Sequence, residues 1–116
     1  MVRKQSNQQV TINKNMRGGD GEIRLEALLG AEELYNKGRL FSRVIVKPGC
    51  SIGYHVHENE MEAYHIISGV ARYGDSNGET VDLETGDVTV TPAGHGHSIA
   101  NRGDNDLIVV ALIVLQ

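Results

Sequence analysis

The sequence predicts an all-β fold, an antiparallel sandwich or barrel, on three observations. Short runs dense in β-branched residues recur at 40–47, 70–73, 80–83, 88–91 and 107–115, with turn residues between them. Around Glu62, Tyr64 and Ile66 the chain alternates with Ala63, His65 and Ile67, the period of a half-buried strand. No helical-period blocks alternate with these runs, so a parallel α/β sheet is disfavoured.

The bulk properties narrow the function. A chain of 116 residues is one domain, residues 1–116, and buries a core without staples. Net charge is −4 and no basic run follows Arg3-Lys4, which argues against nucleic acid as a partner. A lone cysteine, Cys50, excludes an intrachain disulfide and fits a reducing compartment. The first ten residues lack an apolar signal segment. The longest apolar run, 107–115, is about half of what a membrane helix needs. The expectation is a soluble cytoplasmic protein with no membrane partner.

Taken in order, residues 1–9 are polar and read as a flexible tail. Residues 10–12 fit a short strand, with a second subunit as a candidate pairing partner. The stretch 15–21, NMRGGDG, is a loop whose three glycines supply unusual backbone angles. Residues 22–29 fit a strand through Ile23, Leu25 and Ala27, or a helix through Leu25, Leu28 and Leu29; the strand is preferred. The continuation, GAEELYNKG, predicts one short helix closed by Gly38. A strand over 40–47 stops at Pro48-Gly49, and GDSNGE turns a hairpin between 70–73 and 80–83. Further strands follow at 88–91, 97–101 and 107–115. The last has apolar residues on both faces, so both faces need cover. One face looks into the core; the other is covered by the amino-terminal segment or, as expected here, by a second copy in a homodimer.

Chemistry concentrates in two stretches. In GCSIGYHVHENEMEAYHIISG, His55 and His57 are two apart and share one face of an extended strand. Four residues, Asn59 among them, then form a tight loop before Glu62 in what reads as a hairpin. Two imidazoles and a carboxylate side by side are a transition-metal donor set. In GDVTVTPAGHGHSIAN, His97 adds a third imidazole if its strand lies beside the first.

These residues resemble the two motifs of the cupin family. Gly49, His55, His57, Glu62 and Gly69 match the first motif; Gly86, Pro92, Gly94, His97 and Asn101 match the second, sixteen residues on. The resemblance implies a double-stranded β-helix, the jelly roll, with one metal held by His55, His57, Glu62 and His97. The chain is similar to small single-domain cupins described as oxalate-decarboxylase-like. That implies one divalent metal, Mn or Fe ahead of Zn, Ni or Co, and a small carboxylate as ligand or substrate. A homodimer is common among such chains.

Other residues are weighed beside this set. Tyr64 shares the inward face with Glu62 and either donates to a ligand or fills the barrel wall. Arg43 is either a carboxylate clamp or a solvent-facing charge. Tyr54 lines the mouth or lies outside it. His65 is out of phase with Glu62, His95 sits in a loop, and Glu58 and Glu60 are set aside as neighbours of Glu62. Cys50 reads as a small buried thiol. The functional expectation is a metal-dependent decarboxylase, oxidoreductase or lyase acting on a small anionic acid. The alternative is a non-catalytic metal-organised binding or sensor module; no lid with a general acid is visible between the motifs.

Overall fold

The β-branched runs form ten strands in a computed structural model that describes residues 1–116. In chain order they are β1 (Val10–Lys14), β2 (Glu22–Leu29), β3 (Gly38–Val46), β4 (Ser51–Val56) and β5 (Glu60–Ser68). Then come β6 (Ala71–Gly74), β7 (Thr80–Leu83), β8 (Val88–Thr91), β9 (Gly96–Ala100) and β10 (Leu107–Leu115). Two antiparallel sheets result, one ordered β1-β2-β3-β10-β5-β8 and the other β4-β9-β6-β7.

Alternation decides which side chains meet between the sheets. In β10 the odd residues Leu107, Val109, Ala111 and Ile113 are buried, and the even ones are half-exposed on the outer face. Leu107, Val109 and Ala111 pack with Val44, Val46, Tyr64 and Ile66 of their own sheet and with Ile52, Tyr73 and Ile99 of the other. Each buried aliphatic side chain contributes about 1.5–3 kcal/mol of transfer free energy.

Three expectations are corrected. The segment after Gly30 is a hydrogen-bonded turn, not a helix: Leu34 N–H reaches Gly30 O at 3.2 Å, but Tyr35 and Asn36 take left-handed angles (φ 55° and 56°). A single turn has too few hydrogen bonds to propagate against that break. Gly38 is the first residue of β3, not a helix cap. Strand β1 pairs with β2 of the same chain along one side and forms an edge of the larger sheet. Strands β4 and β5 are not a hairpin: β4 pairs β9 while β5 pairs β8 and β10, so the loop at Asn59 (φ 61°) arches from one sheet to the other. The amino-terminal residues contain a 3-10 turn, Gln5–Asn7, and Arg3 donates to both oxygens of Glu33 at 2.7 and 2.5 Å.

Register shifts interrupt four of the ladders, β3–β10, β5–β10, β2–β3 and β4–β9, and two of them bear on the site. Ile52 pairs with Ile99 and His55 with His97, so Gly53 and Tyr54 oppose Ser98 alone. In β3, Leu40 pairs with Ile113 and Gly38 with Val114, leaving Arg39 as the extra residue. A bulge bends its strand and re-aims the side chains around it.

Candidate metal centre

The first bulge sets the direction of His55. On an unbroken strand Ile52 and His55 would face opposite ways; with the extra residue both face the interior. Gly53 lets the Arg17 turn pack directly on this bulge, because a Cβ there would lie 2.0 Å from the carbonyl oxygen of Arg17. His57 follows with the same parity as His55. His97 enters from β9, paired directly opposite His55. Glu62 comes from the facing sheet, where it is paired with Thr91 of β8 and Ile113 of β10.

The four side chains converge. One donor atom from each of His55, His57, Glu62 and His97 lies within 4.8 Å of all the others. Glu62 Oε1 sits 2.8 Å from His57 Nε2, 2.9 Å from His97 Nε2 and 4.0 Å from His55 Nε2. His57 and His97 bring their Nε2 atoms to 3.1 Å of each other, and His97 is wholly buried.

What holds the opposite nitrogens fixes the tautomers of His55 and His57. His55 Nδ1–H donates to Gly53 O at 2.8 Å, and His57 Nδ1–H donates to Glu60 Oε2 at 2.6 Å. Acceptors at Nδ1 leave the lone pair on Nε2, the nitrogen aimed at the cluster. His97 Nδ1 meets Thr91 Oγ1 at 2.8 Å and Tyr73 OH at 3.0 Å, and those hydroxyls bond each other at 2.7 Å. Three imidazole Nε2 atoms, two of them with the lone pair directed inward by their Nδ1 acceptors, and a carboxylate oxygen at one buried spot suit a divalent transition ion. The residues present fit such a group.

The electrostatics support the same reading. Burial pushes the His55 imidazole below its ordinary 6.5, with the neighbouring imidazoles His97 and His57 adding to the effect. Glu60 is held down at about 2, chiefly by the hydrogen bond from Arg39 and further by His57. Burial raises Tyr64 well above 10, and the charge of Glu62 adds to it, so its hydroxyl stays protonated.

Beside the cluster lies a cavity of about 70 Å³. Leu25, Leu40, Val44, Ile52 and Ile113 supply its apolar wall; His55, His57, Glu62, Tyr64 and Arg39 supply its polar part, and exposed Arg17 lines its solvent end. A larger surface groove of about 540 Å³ by Arg3 and Glu33 is lined by none of the cluster residues.

The other candidates separate cleanly. Tyr64 lines the cavity and stacks on His97, ring centroids 4.8 Å apart at 14°. Arg43 does not: its Nη1 lies 3.4 Å from Glu26 Oε1 on the outer face, opposite in parity to Val44, which lines the cavity. Tyr54 is also turned outward by the bulge, 54% exposed, with its hydroxyl over Gly96. His65 and His95 are exposed, the latter bonded to Ser76 at 3.0 Å. Cys50 is half-buried against the core and Asn101 ties Val46 O to Asn105 O, both away from the cluster.

Residues that sequence reasoning missed surround the cluster. Glu60, set aside as a bystander, orients His57 and is itself gripped by Arg39 at 2.6 and 2.7 Å. Its parity with Glu62 was the available signal, since i and i+2 share a face. Arg39 gave none, because its direction depends on the bulge. Tyr73 and Thr91 reach His97 only once β6, β8 and β9 are assembled.

Comparison with known proteins agrees with this architecture. The family profile described as Cupin domain matches residues 42–114. A Thermotoga maritima protein named oxalate-binding protein is 46% identical over 101 residues, 87% of this chain and 83% of its own. A crystal structure of a predicted oxalate decarboxylase from Thermotoga maritima superposes with a TM-score of 0.95 at 43% identity, covering 100% of both chains. Oxalate decarboxylase from Bacillus subtilis is 34% identical over 73 residues, 60% of this chain but only 19% of that protein. With the two motifs placed on facing strands around one buried cluster, and a profile match over most of its length, the chain belongs to the cupin family.

Proposed function

We propose that this protein holds one divalent transition-metal ion through His55, His57, Glu62 and His97 and binds a small carboxylate, oxalate in type, beside it. The observation that carries this is the convergence of three Nε2 atoms and one carboxylate oxygen next to a cavity of about 70 Å³. A donor set without thiolate and with one hard oxygen favours Mn or Fe, with Zn, Ni and Co also compatible. Bound there, the ion supplies Lewis acidity and a positive charge for an anionic ligand. The chain's own part is to present unprotonated Nε2 atoms, exclude water with the Leu40, Val44 and Ile113 wall, and keep the Tyr64 hydroxyl protonated as a donor. The name of the 46% identical relative, oxalate-binding protein, supports the same ligand class.

An enzymatic reading, decarboxylation or oxidation of such an acid, is favoured by the similarity to the Bacillus subtilis decarboxylase. Against it, the remaining carboxyl beside the cluster, Glu60, is tied to Arg39 and His57 and offers no free proton. Binding is therefore the primary reading. Residues 1–116 act as one domain, the protein works in the reducing cytoplasm, which the single cysteine supports, and it forms a homodimer through the outer face of the larger sheet.

Elemental analysis of untagged protein, followed by melting curves with oxalate, tests the site. Near-stoichiometric metal, and an oxalate-induced rise in Tm confined to the metal-loaded form, are expected. Equal rises with and without metal would sink ligation beside the ion. Carbon dioxide release or oxygen uptake with oxalate would move the enzymatic reading ahead.

A further inference from the structure

Five of the seven arginines are paired with a carboxylate within the chain: Arg3 with Glu33, Arg24 and Arg43 both with Glu26, Arg39 with Glu60, and Arg72 with Asp82. Arg17 has no such partner, and it lines the solvent end of the cavity. We propose that Arg17 binds the far carboxylate of a dianionic ligand, making the cavity selective for small dicarboxylates over monocarboxylates. This rests on the metal-and-carboxylate reading above.

The backbone around Arg17 is built rather than loose. Arg17 is left-handed at φ 55°, as is Asn15 at φ 50°, a costly angle for side-chain-bearing residues that persists only where the surroundings impose it. The turn closes through Gly18 N–H to Asn15 O at 3.0 Å and Gly19 N–H to Met16 O at 2.9 Å, while Asn15 Nδ2 donates to Gly19 O at 3.2 Å. Its carbonyl is seated against Gly53, and Gly19 against Ser51, where added Cβ atoms would lie 2.0 and 2.2 Å from backbone oxygens. The turn that carries Arg17 is thereby locked to the bulge that carries His55.

Charge and size then select the ligand. A divalent ion, the Glu62 carboxylate, a dianion and one guanidinium sum to zero formal charge, whereas a monocarboxylate leaves Arg17 unmatched. Arg39, the other arginine in the lining, already commits Nε and Nη2 to Glu60. About 70 Å³ is room for roughly two water molecules, so a ligand spanning from the cluster to Arg17 has two or three carbons.

The test is calorimetric titration of the full chain, loaded with manganese(II), by oxalate and by formate. Arg17→Gln should weaken oxalate by about tenfold or more, the scale of one charge-assisted contact, and change formate by less than about twofold. Arg17→Lys should recover part of the oxalate affinity, and metal stoichiometry should match the parent in both variants. Undiminished oxalate preference in Arg17→Gln, or equal loss of both acids, overturns the assignment of Arg17 and leaves the binding reading standing. A metal-loaded parent protein that binds neither acid overturns the binding reading and this inference with it.

Discussion

His57 Nδ1 donates to Glu60 Oε2 at 2.6 Å, and Arg39 holds the same carboxylate through Nε at 2.6 Å and Nη2 at 2.7 Å. The strongest acceptor at any of the three imidazoles is therefore a carboxylate pinned in place by a guanidinium, reaching from β3 across to the start of β5. His55 has only a backbone carbonyl and His97 only hydroxyls. His57 should be the most electron-rich donor of the set.

Glu60→Gln keeps the size of the side chain and removes its charge. Metal affinity should fall about 10–100-fold, measured by chelator competition, with the circular dichroism spectrum unchanged. An unaltered affinity would show that Glu60 braces the loop without orienting His57.

The metal-free protein should lose stability steadily on acidification. The His55 pKa is lowered from 6.5 by burial, so its contribution is complete above that value and declines as pH falls through the folded pKa. Glu60 behaves likewise at lower pH: held at about 2 against an ordinary 4.5, its contribution is complete above 4.5 and lost toward 2. Melting temperatures from pH 7 to 2.5 check both. Arg39→Met should flatten the part below 4.5 selectively. A Tm that rises between pH 7 and 5 contradicts the environment assigned to His55.

At Gly53 the added methyl of Gly53→Ala meets the backbone of the Arg17–Gly19 turn, Arg17 O at 2.0 Å and Gly19 N at 2.9 Å, so that turn or β4 must move. A loss of roughly 1–3 kcal/mol in unfolding free energy is expected, with weaker metal retention because His55 is two residues on. Gly30→Ala is the control, since its Cβ would approach only Glu33 Oε1 at 3.6 Å. Equal stability of the two variants would mean that the bulge is soft.

The local rules that made strands and ligands readable stop at the bulges. Alternation placed Tyr64, Ile66 and Ile99 inside, and the spacing of His55, His57, Glu62 and His97 nominated the four residues that converge. Arg43 and Arg39 show the limit. Both lie on β3, but Arg43 obeys strand parity and faces Glu26 outside, whereas Arg39 is the unpaired residue of a bulge and faces the cavity. A bulge depends on the partner strand, which no local pattern records. The turn at 30–37 failed for a related reason: EELY has helical composition, but one turn is too short for propensity to overcome left-handed angles at Tyr35 and Asn36.

Sheet pairing leaves one surface unexplained by the chain itself. Strand β10 is flanked by β3 and β5, and its even residues Ile108, Val110, Leu112 and Val114 face outward. Phe41 and Ala63 pair beside Leu112, and on the edge strand β8 Val88 and Val90 are 62% and 61% exposed while Thr89 and Thr91 turn in. The amino-terminal strand β1 lies at the opposite edge of this sheet and covers none of it. An apolar strip of this kind, flanked at Val110 by Arg43 and His65, calls for a partner, and a second copy brings the same face by twofold symmetry. Sedimentation should show a dimer at micromolar concentration. Leu112→Glu, which places a charge at the centre of the face without entering the core, should give a monomer with the same metal content. A parent protein that sediments as a monomer removes the homodimer, and a dimeric Leu112→Glu moves the interface to another surface.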